Sequence, residues 1–73
     1  MELTKTTNAN GYIDTGYPTS GIFIISAFDK NGTGYAMIPV NVSGIWWIYV
    51  CGTDGGYTKP KTNTSITFYM FYY

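Results

Sequence analysis

The segment Ile45-Trp46-Trp47-Ile48-Tyr49-Val50-Cys51, set between Gly44 and Gly52, constrains this chain more than any other stretch. Nearly all of its residues are β-branched or aromatic, the types that pack well on a pleated surface. Side chains alternate across a strand, so Trp46, Ile48 and Val50 share one face and Ile45, Trp47, Tyr49 and Cys51 share the other. Both faces are apolar, yet a small domain has one core and covers one face. The same two-sided pattern recurs over residues 21–28 and 65–73. An antiparallel strand packed on one side ordinarily turns polar residues outward. Three strands that do not are expected to bury their second faces against other copies of the chain.

Length sharpens that expectation. A chain of 73 residues makes one domain, spanning 1–73. Domains this short bury only about 60% of their unfolded surface and often need a disulfide, a metal or a partner. One cysteine forms no internal disulfide, and with no histidine there is no Cys/His zinc site. Asp14, Asp29 and Asp54 lack the spacing of a calcium loop. No metal and no cofactor is therefore expected. Cys51 has no histidine to activate it and reads as a small buried hydrophobe. Oligomerisation or dense aromatic packing remains.

Charge excludes other classes. Charged residues make up 11% of the chain and the formal net charge is zero. Nucleic-acid binding needs a basic surface that neutralises phosphates, and four Lys+Arg against four Asp+Glu do not supply one. Met1 to Thr7 has no apolar signal region, and no run approaches the roughly 20 residues of a membrane span. A soluble product made without a signal peptide and without membrane insertion is expected. Aromatic residues reach 19%, eight of them tyrosine, so contacts with the surroundings fall to neutral polar and aromatic groups.

The chain reads as short strands separated by turns. Residues 3–7 suit an edge strand guarded by Glu2 and Lys5. Asn8-Ala9-Asn10-Gly11 is a turn, and residues 12–14 form a short extended piece that ends in a loop at Thr15-Gly16-Tyr17-Pro18. Residues 21–28 make a strong strand. Asn31-Gly32 signals a hairpin, with residues 35–40 returning as its antiparallel partner. Pro39 places that return at an edge or a bulge. Val42-Ser43-Gly44 turns into Ile45–Cys51, residues 52–63 form the longest break, and residues 65–73 are the last strand, with Ile66, Phe68, Met70 and Tyr72 on one face. No helical period is sustained. The predicted fold is all-β, a small antiparallel sandwich or barrel within an oligomer.

Two places offer binding chemistry. Trp46 and Trp47 face opposite sides of one strand. One belongs to the core. The other either stacks on a sugar ring or fills a subunit interface, and interface composition favours the second use. The residues predicted for that interface are Ile45, Trp47, Tyr49, Tyr69 and Phe71. The loop Thr53-Asp54-Gly55-Gly56-Tyr57-Thr58-Lys59 is the stronger site candidate, because it gathers a carboxylate, a phenol, hydroxyls and a cation. Thr53, Asp54, Tyr57, Tyr17 and Trp47 are the predicted ligand-binding set. Tyr12, Asp14, Tyr17 and the Asp29–Gly34 turn are the weaker candidates, and Tyr17 beside Pro18 reads first as a loop packing residue.

The order of these segments resembles a known group of domains. Thr6 to Gly16 (TTNANGYIDTG) is followed by Ile24-Ile25-Ser26-Ala27, then Tyr35-Ala36-Met37-Ile38-Pro39, Gly44 to Val50 (GIWWIYV) and Asn63 to Phe68 (NTSITF). This resembles the C-terminal receptor-binding heads of phage and prophage tail-fibre or baseplate proteins, over nearly the whole chain. The resemblance implies a homotrimeric β head in a virion tail, made in the host cytoplasm, that adheres to a bacterial surface polysaccharide. It carries over no individual ligand residue. The alternative within the same resemblance is a trimerisation knob that closes a fibre and has no ligand. An enzyme is not expected, since glycoside hydrolysis needs a spaced carboxylate pair and the four acids lie mostly in turns.

Overall fold

Six strands, without a helix, form the regular structure among residues 1–52 and 59–73, which are the residues the computed structural model describes. They are β1 (Glu2–Thr6), β2 (Tyr12–Pro18), β3 (Ile24–Asp29), β4 (Ala36–Val42), β5 (Ile45–Cys51) and β6 (Ser65–Tyr72). Two three-stranded sheets result, ordered β1-β6-β3 and β2-β5-β4, with every pairing antiparallel. Packed on each other they make the small all-β sandwich that the strand pattern predicts.

Each sheet is built around one of the two-faced strands, β6 or β5. On β6, Ile66, Phe68 and Met70 point inward and are buried. On β5, Ile48 and Val50 are fully buried and Trp46 packs against the same cluster. Ile13 of β2, Ile24 and Ala27 of β3 and Met37 of β4 complete the core. The faces of β5 are thereby assigned: Trp46/Ile48/Val50 is the core face, and Ile45, Trp47 and Tyr49 lie outside, half-buried. Full burial of a side chain such as Phe68 contributes about 1.5–3 kcal/mol, so a few central residues carry much of the stability of so short a chain.

Among the described residues, the polar side chains that enter the interior are paired. Thr7 exchanges bonds with Thr64: its Oγ1 accepts the Thr64 N–H at 2.9 Å and its own N–H donates to the Thr64 carbonyl at 2.9 Å. The Thr15 hydroxyl donates to the Trp46 carbonyl at 2.6 Å, and the Trp46 indole donates to the Ile22 carbonyl at 2.7 Å. No buried side-chain nitrogen or oxygen among the described residues lacks a partner.

Two connections differ from the sequence reading. Residues 35–40 do not pair with β3, because β3 lies in one sheet beside β6 and β4 lies in the other beside β5. The Asp29 side chain diverts the chain. Its carboxylate accepts both the N–H and the hydroxyl of Thr33, closing a turn that passes between the sheets. The tight hairpin comes later, at Ser43-Gly44, where Val42 pairs with Ile45. Both turn residues have positive φ, 51° and 83°, which matches the right-handed twist of the flanking strands, and Asn41 Oδ1 caps the Gly44 N–H at 3.1 Å. The second difference is at Thr15-Gly16-Tyr17-Pro18, read as a loop. β2 runs through it as an irregular strand, with a register shift between Asp14 and Pro18. Pro39 does lie on an edge strand, β4.

Candidate functional site

The outer face of the β2-β5-β4 sheet carries aromatic side chains in neighbouring rows. Tyr12 of β2 pairs across the ladder with Tyr49 of β5, their ring centroids 5.1 Å apart and tilted by 46°. One row on, Asp14 pairs with Trp47 and Val40 of β4 flanks Trp47 on the other side. Side chains in such cross-strand pairs are near neighbours, and diagonal ones come within reach of an aromatic ring. Asn8, Tyr12, Val42 and Trp47 together line an open cleft of about 230 Å³. That is below the ~300–1,000 Å³ of drug-sized pockets and suits a single small ring lying on the surface.

The turn before β2 fixes the polar end of this cleft. Asn8 Oδ1 accepts the backbone N–H of Asn10 at 2.8 Å and of Tyr12 at 3.0 Å. With its oxygen so engaged, the Nδ2 donors of Asn8 meet no partner among the described residues and can serve a ligand. Asp14 supplies the complementary acceptor. Its Oδ1 takes the Gly16 N–H at 2.9 Å, which holds the carboxylate in place beside Trp47. Burial pushes the Tyr49 phenol above its usual pKa, with Cys51 and Tyr12 adding to the shift, so Tyr49 stays a neutral hydroxyl at physiological pH.

Gly11 anchors the turn to the rest of the sheet. Its carbonyl accepts the Val50 N–H at 2.8 Å, and its φ is +84°. A Cβ at this position would lie 2.5 Å from Pro60 Cβ, so the backbone approaches Pro60 as only glycine allows.

The predicted ligand set divides. Trp47 lines the cleft. Tyr17 does not join it: its ring packs against the core cluster and its hydroxyl meets the Met1 sulfur at 3.2 Å. Thr53, Asp54 and Tyr57 lie outside the described residues. Of the weaker candidates, Tyr12 and Asp14 belong to the Trp47 face, whereas Asp29 is spent on Thr33. The predicted interface residues divide as well. Ile45, Trp47 and Tyr49 share this face, and Tyr69 and Phe71 lie on the outer face of the other sheet. Asn8 and Val42 are cleft residues that the sequence reading did not select; Asn8 was visible there only as part of a turn.

Compared with family models, with curated proteins and with solved structures, the chain finds no significant match in any of the three.

Proposed function

We propose that this domain is a non-enzymatic carbohydrate-binding head, of the kind that ends a phage tail fibre, and that it adheres to a bacterial surface glycan through the Trp47 cleft. The observation that carries the reading is the cleft itself. A flat indole and a tyrosine line it together with an amide side chain held by backbone hydrogen bonds, and the Asp14 carboxylate stands on the same face as the cross-strand partner of Trp47. The C–H face of a pyranose stacks on such a ring, and its hydroxyls take one donor and one acceptor. Among the described residues no cation lines the cleft, in keeping with a neutral sugar.

The described acids support a binding role over a hydrolytic one. Glu2 is paired with Lys30 at 3.0 Å and Asp29 is bound to Thr33, both away from Asp14 on the other sheet. A glycosidase needs two carboxylates about 5–9.5 Å apart across one sugar. A single-ring site binds weakly, so adhesion rests on several copies presented together.

The second reading, a fibre-closing knob without a ligand, draws on the exposed aromatic residues of the opposite face. Binding to an array of bacterial surface polysaccharides separates the two. Binding that Trp47→Ala abolishes supports the adhesin. Absence of binding to every polysaccharide, that of the natural host included, leaves the knob.

A further inference from the structure

We propose that Asn31-Gly32 is a site of spontaneous deamidation, where the folded chain turns a neutral amide into a carboxylate, while the same dipeptide at Asn10-Gly11 is protected by its turn. The proposal is independent of what the Trp47 cleft binds. The reaction runs in two steps. The backbone nitrogen of the following residue attacks the asparagine Cγ, the amide C–N bond breaks, and ammonia leaves from a five-membered succinimide. Solvent water then opens the ring at either carbonyl, giving aspartate or isoaspartate. Glycine after the asparagine favours closure, because it has no Cβ in the way and its backbone turns freely. What remains to decide the rate is the room and freedom that the fold leaves to those two residues.

The structure treats the two Asn-Gly pairs oppositely. Gly11 is buried. Its N–H donates to the Asn8 carbonyl at 3.1 Å, and its own carbonyl accepts the Val50 N–H at 2.8 Å. The Asn10 N–H is held by Asn8 Oδ1 at 2.8 Å. Gly11 also stands so close to Pro60 that a Cβ would come within 2.5 Å. Closing a ring there rotates Asn10 against Gly11, which breaks these bonds together and drives the backbone into Pro60.

Asn31, Gly32, Thr33 and Gly34 are all exposed. The Gly32 N–H, the attacking group, donates to the Asp29 carbonyl at 3.4 Å, longer than the usual ~2.7–3.2 Å. No described atom lies within 4 Å of the point its Cβ would occupy. This nitrogen is therefore loosely held and has open space around it, whereas that of Gly11 is clamped.

The product changes the turn that carries it. The Asp29 carboxylate accepts the Thr33 N–H at 2.8 Å, the Thr33 hydroxyl and the Asn31 N–H. A second carboxylate on residue 31 sets like charges within that turn, and isoaspartate also lengthens its backbone by one carbon. The turn links β3 in one sheet to β4 in the other, so stability falls. Acids rise from four to five against four Lys+Arg, and the formal net charge moves from zero to −1. Val42, the cleft residue on β4, sits at the far end of that strand, about 20 Å of extended chain from Ala36. The modification acts on charge and stability and leaves the cleft intact.

The test is to incubate the full chain at mildly alkaline pH, folded and in guanidinium chloride, and to follow each asparagine by peptide mapping with mass spectrometry. Mass is the readout because Asp54-Gly55, which lies outside the described residues, isomerises without changing it. In the folded chain Asn31 is expected to convert at least about tenfold faster than Asn10, a barrier difference of ~1.4 kcal/mol. In denaturant the two rates are expected to converge, because the protection of Asn10 is structural. Asn31→Gln is expected to remove the folded-state conversion, and Asn31→Asp to lower the denaturation midpoint at neutral pH. Equal rates in the folded chain, a difference that persists in denaturant, or an Asn31→Asp midpoint at or above that of wild type would overturn the proposal. The wild-type comparison needs no variant, so it decides the site even where a substitution disturbs the turn.

Discussion

Trp46 and Trp47 are adjacent in the chain and face opposite sides of β5. Trp46 turns inward and gives its indole N–H to the Ile22 carbonyl, while Trp47 lies outside, beside Asp14 and over the cleft. The two residues therefore separate folding from function within one strand. Trp46→Ala is expected to cost about 3–5 kcal/mol, since it removes a packed ring and strands a carbonyl. Trp47→Ala is expected to leave the melting temperature within a few degrees and to weaken glycan binding at least about tenfold, or ~1.4 kcal/mol. Thermal melts and a binding titration on both variants check the pair.

Gly11 gives a test of the turn that carries Asn8. Alanine there meets a positive φ of +84° and a Cβ contact of 2.5 Å with Pro60. Strain and overpacking together are expected to cost roughly 2–4 kcal/mol, a large share of the stability of a domain this size. Gly16 also has a positive φ, 76°, but its Cβ direction is open, so Gly16→Ala is expected to cost less. Chemical denaturation of the two variants gives the comparison.

Asp14, the cross-strand partner of Trp47, stands beside the cleft and sets the charge of this face. It is the one carboxylate facing Trp47 among the described residues, held by the Gly16 N–H. An anionic sugar is repelled by it, whereas a neutral or cationic one accepts its hydrogen bond. Asp14→Asn keeps the shape and is expected to weaken neutral pyranosides several-fold while improving uronides. Titrating both ligand classes into both proteins reads the crossover. Equal affinities of wild type for uronide and neutral sugar would count against Asp14 as the orienting group.

Asp29 ties stability to acid. Burial pushes its carboxyl up, but the hydrogen bonds from the Thr33 hydroxyl, the Thr33 N–H and the Asn31 N–H outweigh burial and hold it below the ordinary carboxylate value. A group whose pKa is lowered on folding contributes its full stability above its unfolded pKa of about 3.9 and loses it as pH falls through the folded value. Wild type is therefore expected to lose stability below about pH 4 more steeply than Asp29→Asn, which is less stable at pH 7. Denaturation midpoints measured from pH 7 to pH 2 test the sign.

Much of this architecture was legible in the strands. The bounds of β5 follow from its flanking glycines, and the buried set Ile66, Phe68 and Met70 follows from alternation alone. Ser43-Gly44 turns where its residue types direct it. The partnership of β3 was not legible. Asn31-Gly32 is a strong hairpin signal, but the Asp29 to Thr33 bonds form a different turn, and sheet membership depends on the distant strand β6. The cleft was half legible for the same reason. Trp47 was visible as a surface candidate, but its neighbours Tyr12, Asp14 and Asn8 reach it only through the β2–β5 register, which no local pattern encodes. Tyr17, which reads beside Pro18 first as a packing residue and only weakly as a ligand group, packs against the core cluster.

The most direct measurement of the binding claim uses the two indoles as probe and control. Neutral oligosaccharides from a bacterial surface polysaccharide are titrated into labelled protein, and both Trp indole N–H signals are followed by NMR. The expected result is a saturable shift of the Trp47 signal, with the Trp46 signal, bonded to Ile22, left in place. A Trp47 signal unmoved by every neutral sugar, or a shift confined to Trp46, would contradict the assignment of this face to carbohydrate.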